Sequence, residues 1–177
     1  MIKNVLYPSH YPKQPPLRYC GAFQATAILD SFGIVKKPFS LFNNFIDTIG
    51  FCLPSHIKKV IRENDLIVQS FTRSPQRKSF IIKHLQQNHH IVLLIGRGYN
   101  EEGKKFSALQ GIVLQHYISI RGYDNKHDGF WIYDSTKYMQ DNAIIGNIFL
   151  TSDILYKSRL YGWFYKRNCL IISRLND

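Results

Sequence analysis

The chain has 177 residues, 45% hydrophobic and 14% aromatic, enough to bury a core without staples and too apolar for a disordered segment. Its 23 Lys and Arg against 12 Asp and Glu leave a net charge of +11, dispersed except for concentrations at Arg73–Lys78 and Lys157–Arg167. No zinc-finger spacing, RNA-recognition signature or continuous basic helix accompanies them, so nucleic acid is not the expected partner; a solvated basic surface or an acidic partner accounts for the charge. The apolar runs are too short to span a bilayer, and the proline-punctuated start MIKNVLYPSHYPKQPP does not read as a secretory signal. Three cysteines (Cys20, Cys52, Cys169) form too sparse and odd a set for a disulfide framework. The expected location is the cytoplasm, or a host or target cell reached without a classical signal peptide.

In chain order, Ala22, Ala25, Ile28, Leu29 and Phe32 mark the buried stripe of a helix that Gly33 is placed to end. A second helix is expected after Ser40, through LFNNFIDTI to Gly50, and a third from Pro54-Ser55 with Ile57, Val60 and Ile61 on its apolar face. Leu66–Phe71 reads as a short strand, RSPQRKS as a basic loop and FIIKHLQQN as a fourth helix. Ile91–Ile95 is a continuous apolar run suited to a buried strand. The polar, glycine-punctuated excursion RGYNEEGKKFSALQG follows, and the glycines of IGRGYNEEG suit either a mobile flap over a cleft or a surface hairpin. Val113–Arg121 and Gly129–Asp134 are expected to pair as strands around YDNKHDG, followed by a short helix over Ser152–Tyr161 and a closing strand over Asn168–Ser173. Helices first and strands later is an α+β order, here in one domain over 1–177: a helical half at about 14–90 and a mainly antiparallel sheet half at about 91–177.

Cys20 stands where the first of these helices starts. The unpaired N–H groups and positive dipole end at a helix start favour thiolate over thiol, and thiolate is the nucleophile. The carboxamide of Gln14, six residues upstream, is a candidate donor to an oxyanion formed by attack on a carbonyl. His116, in LQHYISIRGYD, shares a strand face with Ile118 and Ile120, and Asp134 shares one with Phe130 and Ile132. A hairpin symmetric about Asn125 pairs Ile120 with Phe130, Ile118 with Ile132 and His116 with Asp134, where a carboxylate can orient an imidazole and stabilise its charged form. A one-residue slip would break that alignment.

A Cys-Gly at a helix start, a glutamine upstream and a later H-Y-x-x-x-x-G-Y-D strand leading to an aspartate resemble the papain-like cysteine peptidase superfamily. More narrowly they resemble its bacteriocin-leader-processing (double-glycine) branch. The resemblance extends over most of the chain, including the IVLLI and FWIYDS strands. It implies a papain-like fold with Cys20 as nucleophile, His116 as general base and acid, Asp134 as orienting residue, and Gln14 with the Cys20 amide as oxyanion donors. It implies a protein or peptide substrate and no metal or organic cofactor. Tyr19 stands where the branch commonly has an acidic residue, and Ala22 where it commonly has a proline.

Other residues carry plainer readings beside functional ones. Cys52 and Cys169 read as small buried hydrophobes. His84, His89 and His90 lack a completing ligand and read as helix-end and loop histidines, His56 as a capping or surface residue and His127 as a solvated turn residue. Asp124, the rival to Asp134, and Asp128 most simply stabilise the turn. Gln24, the rival to Gln14, falls inside the helix. Tyr19, Gly21 and Trp163 are candidate substrate contacts, with core packing an equal reading of the two aromatics. The leading function is a thiol peptidase or amide hydrolase. A glutamine deamidase or acyltransferase with the same triad, and a non-catalytic binding module with a basic partner-binding face, remain alternatives.

Overall fold

In the computed structural model of the chain, which describes residues 2–3, 19–42, 52–72, 77–100, 102–137, 146–163 and 167–175, the apolar stripe does form one helix, α1 (Cys20–Ser31). Ala22, Ala25, Ile28, Leu29 and Phe32 lie together in one core cluster. The burial goes beyond a stripe, because every residue from Gly21 to Ser31 is buried. Its end is a Schellman motif: Gly33, at φ 81°, donates to the Asp30 carbonyl at 2.8 Å, and the Ile34 N–H reaches back to Leu29 at 2.9 Å. The expected second helix falls mostly on 43–50, outside the described residues; a 3-10 turn, Pro38–Phe42, precedes it. The third and fourth helices are α2 (Pro54–Arg62) and α3 (Lys78–Gln86).

The strands are β1 (Ile2–Lys3), β2 (Ile67–Phe71), β3 (His90–Gly96), β4 (Gln115–Asp124), β5 (Gly129–Tyr133), β6 (Ile148–Thr151) and β7 (Cys169–Ser173). They form an antiparallel sheet in the order β2-β7-β3-β4-β5-β6, with β1 continuing beside the far end of β4. β3 is buried at all seven positions because helices cover both faces of the sheet. Val92 and Leu94 pack with α1 and α2; Ile91, Leu93 and Ile95 pack with Ile81 and Leu85 of α3 and with Ile154 and Leu155 of α5 (Ser152–Tyr161). Each such aliphatic side chain contributes about 1.5–3 kcal/mol on burial, which is why this run tolerates no alternation.

Three features depart from the sequence reading. Val113, expected to open a strand, ends a short helix, α4 (Ala108–Val113). Ser107 caps that helix by accepting from the Gln110 N–H, and its Leu109 and Val113 face solvent, so no apolar stripe announced it. The edge strands β1 and β6 are additions. The hairpin register also differs: Ile120 faces Ile132 rather than Phe130, and Tyr123 faces Phe130. The turn takes four residues, Asn125 to Asp128, which moves the pairing beside it three positions from the expected register, and a bulge at Arg121 takes one position back to leave a shift of two. The buried Arg121 guanidinium lies 3.0 Å from His90 Nδ1, and His90 Nε2 lies 3.1 Å from Ser31 Oγ. Arginine can only donate, so His90 accepts at Nδ1 and donates from Nε2, tying the end of α1 to the sheet.

Candidate active site

Tyr19 precedes α1 in the left-handed region, at φ 72° and ψ 14°, and turns the chain so that Cys20 is the first helical residue. The backbone N–H groups of Tyr117 and Gly21 donate to the Cys20 sulfur, and His116 bonds to it through its side chain. His116 Nε2 donates to Asp134 Oδ1 at 2.8 Å, which leaves Nδ1 for the sulfur. His116 and Asp134 are both buried, whereas Cys20 is half-buried. The two-residue change in register leaves them within reach. It keeps His116 and Asp134 on one face of the sheet, and continuing the Ser119–Tyr133 pairing sets His116 diagonally across from Asp134.

The electrostatics of the three groups are mutually consistent. Burial opposes ionisation of Cys20, but the charge and hydrogen bond of His116, helped by the Tyr117 and Gly21 N–H groups, hold the thiol below its usual 9.0. Burial likewise opposes charge on His116, and Asp134 together with Cys20 outweighs it, raising the imidazole to about 10. Asp134 stays far below the ordinary carboxylate range despite its burial, because His116, Arg97 and Thr136 stabilise its charge. Each shift favours a thiolate–imidazolium pair backed by a carboxylate over a neutral thiol and imidazole, and that pair is suited to attack on an acyl carbon.

Asp134 is held on every side. Its Oδ1 also accepts from the Thr136 N–H at 2.9 Å and the Thr136 hydroxyl at 2.6 Å, and its Oδ2 accepts from Arg97 Nε at 3.0 Å and Tyr99 OH at 2.8 Å. Asn147 brackets its backbone, accepting from the Asp134 N–H at 2.8 Å and donating to the Asp134 carbonyl at 2.7 Å. The sequence reading did not single out Arg97, Tyr99, Thr136 or Asn147. Only the proximity of Thr136, two residues beyond the aspartate, offered a local signal.

The Peptidase_C39 like family matches residues 11–151 of the chain. The chain belongs to this family. The peptidase domain of Streptococcus ComA, a bifunctional ABC transporter involved in a quorum-sensing pathway, has a similar fold, with a TM-score of 0.58 at 13% identity over 93% of this chain and 99% of that one. A double glycine motif protease from an AMS/PCAT transporter, solved in complex with the leader peptide, gives a TM-score of 0.55 at 12% identity over 94% of this chain and 96% of that one. No curated protein matches the sequence. The α+β, papain-like architecture expected from the sequence is thus the fold of the C39 peptidase domains.

The remaining candidate residues of this C39-like chain take up distinct places. Gln14 lies outside the described residues. Gln24 is buried as a bolt between α1 and the sheet: its Nε2 donates to the carbonyls of Tyr117 at 3.2 Å and Tyr133 at 3.1 Å, and its Oε1 accepts from Ser119. Those bonds occupy its amide and leave it no part in binding an oxyanion. Gly21 lies where α1 meets the segment before α2, and a Cβ there would collide with Cys52 Sγ and lie 2.8 Å from its Cβ. Tyr19 is half-buried against the core beside Cys20. Trp163 is exposed and donates to the Ile112 carbonyl of α4 at 3.0 Å.

Cys52 is half-buried and Cys169 buried; burial pushes the first thiol well above its usual value and the second up to about 12. His56 Nδ1 accepts the Leu53 N–H at 3.3 Å, a capping role. His84 and His89 bond each other at 2.8 Å. Asp124 accepts from the Lys126 N–H and bonds His127, and Asp128 gathers Lys78, Tyr123 and Ser152, so both carboxylates brace the turn. Among the described residues no three His, Cys, Asp or Glu side chains group to hold a metal, and no helix is long and apolar enough to cross a membrane.

Proposed function

We propose that the protein is a cysteine peptidase that cleaves an amide bond of a peptide or protein substrate through Cys20, His116 and Asp134. The Cys20 thiolate attacks the carbonyl carbon, and the resulting oxyanion is held by the Gln14 carboxamide and the Cys20 N–H. His116, already protonated, gives its Nδ1 proton to the departing amine as the tetrahedral adduct collapses to a thioester. It then takes a proton from water, which attacks the thioester and frees the acid, and the proton returns the imidazolium. Asp134 keeps the imidazole in one orientation and balances its charge throughout.

The hydrogen-bonded series Cys20–His116–Asp134 at a helix start carries this reading. Family membership supports peptidase chemistry over deamidation or acyl transfer. A structural neighbour solved with its leader peptide supports a peptide substrate. Native protein treated with iodoacetamide at pH 7 tests the nucleophile. Cys20 should alkylate far faster than Cys52 or Cys169, and His116→Ala should abolish the difference. Equal rates at all three cysteines would overturn the reading.

A further inference from the structure

Asp134 gives only one oxygen to His116. The other, Oδ2, receives Arg97 Nε at 3.0 Å and the Tyr99 hydroxyl at 2.8 Å, both from the segment just beyond β3. That segment is braced rather than loose. Arg97 N–H donates to the Leu114 carbonyl at 2.6 Å, two residues before His116, and Gly98 N–H donates to Gly96 at 2.9 Å. Ser107 N–H donates to Gly98 at 2.7 Å, and Tyr99 pairs across the reversal with Phe106. Gly98 is required there, since a Cβ would collide with the Ser107 carbonyl and lie 2.8 Å from the Phe106 ring. The two donors thus arrive at the carboxylate on a rigid support. Tyr99 is 3% exposed, and the Arg97 guanidinium, 5.6 Å above the Tyr99 ring, caps the pair toward solvent.

We propose that Arg97 and Tyr99 are positioning residues of the Cys20–His116–Asp134 centre, fixing the Asp134 carboxylate and dividing its charge between Arg97 and His116. The inference rests on the peptidase reading above and adds a control on it. An aspartate whose charge served His116 alone would hold the imidazolium too firmly, and a general acid that does not release its proton is a poor one. Arg97 counters this twice: it competes for the carboxylate, and its own positive charge disfavours a second cation nearby. Tyr99 adds a neutral donor, and its burial and the adjacent Asp134 keep the phenol protonated well beyond its usual range. Both bonds also prevent the carboxylate from turning away from His116. A brace that merely closed the sheet end would act on stability and leave the titration of His116 alone.

The test is the pH profile of Cys20 carboxymethylation by iodoacetate, quantified on the Cys20 peptide by mass spectrometry, with thermal unfolding measured alongside. An anionic reagent favours the thiolate–imidazolium pair, so the wild-type rate falls on the alkaline side as His116 loses its proton. Arg97→Gln should displace that fall upward by about one pH unit, Arg97→Lys should restore it, and Tyr99→Phe should move it in the same direction by less. An alkaline limb unmoved in Arg97→Gln, with the wild-type bell intact, overturns the proposal while leaving the peptidase reading standing. A wild-type profile without a bell, unaltered by His116→Ala, sinks both. If Arg97→Gln does not fold, Tyr99→Phe carries the decision, since it removes a single hydroxyl; an unmoved limb there refutes the proposal.

Discussion

Replacing Asp134 by asparagine removes one charge from a fully buried position and changes little else in shape. In the native protein that charge is the main influence raising His116 to about 10 against a burial that favours the neutral ring. With Asp134→Asn the burial is no longer opposed by a carboxylate, and the His116 midpoint should fall from about 10 toward the ordinary 6.5. A drop from about 10 to 6.5 corresponds to roughly 5 kcal/mol, supplied by Asp134 together with the Cys20 thiolate that faces the imidazolium. Nitrogen-15 spectra of histidine-labelled protein at pH 8 read the change directly. Wild-type His116 should carry protons on both ring nitrogens, and the variant on one. The thiol, no longer facing an imidazolium, should return above 9.0, because burial is then its dominant influence. A His116 ring still doubly protonated at pH 8 in Asp134→Asn would refute the reasoning.

Stability should follow the same pair. His116 is raised, so its contribution is complete below 6.5 and is lost as pH rises through about 10. Asp134 is depressed, so its contribution is complete above 3.8 and is lost as pH falls through its folded value. The difference in unfolding free energy between wild type and His116→Ala, from urea titrations, should therefore be flat between about pH 4 and 6.5 and shrink toward pH 10. Gln24→Leu should cost about 2–4 kcal/mol, since it strands two buried carbonyls and the Ser119 hydroxyl; a lowered urea midpoint at constant slope measures it. Gln14→Ala should lower kcat by about 10²–10³-fold and leave the rate of Cys20 alkylation unchanged, the mark of an oxyanion donor rather than a thiol activator.

The elements most legible in the sequence were those whose residues report their own surroundings. The α1 stripe with its closing Gly33, and the unbroken IVLLI run of β3, each state which faces are buried. The meeting of His116 with Asp134 could be anticipated for a more forgiving reason. Strand alternation has period two, so a register error of two residues keeps both side chains on one face, and a diagonal pair is still close enough to bond. The length of the turn was not legible, because it depends on Asp128 adopting φ 42° and on a bulge at Arg121 that buries a guanidinium against His90.

Helix α4 escaped because its Leu109 and Val113 face solvent and imitate the start of a strand. Arg97 and Tyr99 escaped because nothing local ties them to an aspartate 35 or more positions away; only the reversal at Gly98 brings them there. The IGRGYNEEG segment read as flap or surface hairpin, and its Arg97 and Tyr99 turn out to face inward onto the carboxylate.

The most direct test of the central claim is exposure of a proteome-derived peptide library to the purified protein, with new termini identified by mass spectrometry. The account predicts defined cleavages by the wild-type protein that vanish with Cys20→Ala and His116→Ala. Cleavage undiminished by Cys20→Ala, or none by a wild-type protein whose Cys20 alkylates selectively at pH 7, would contradict it.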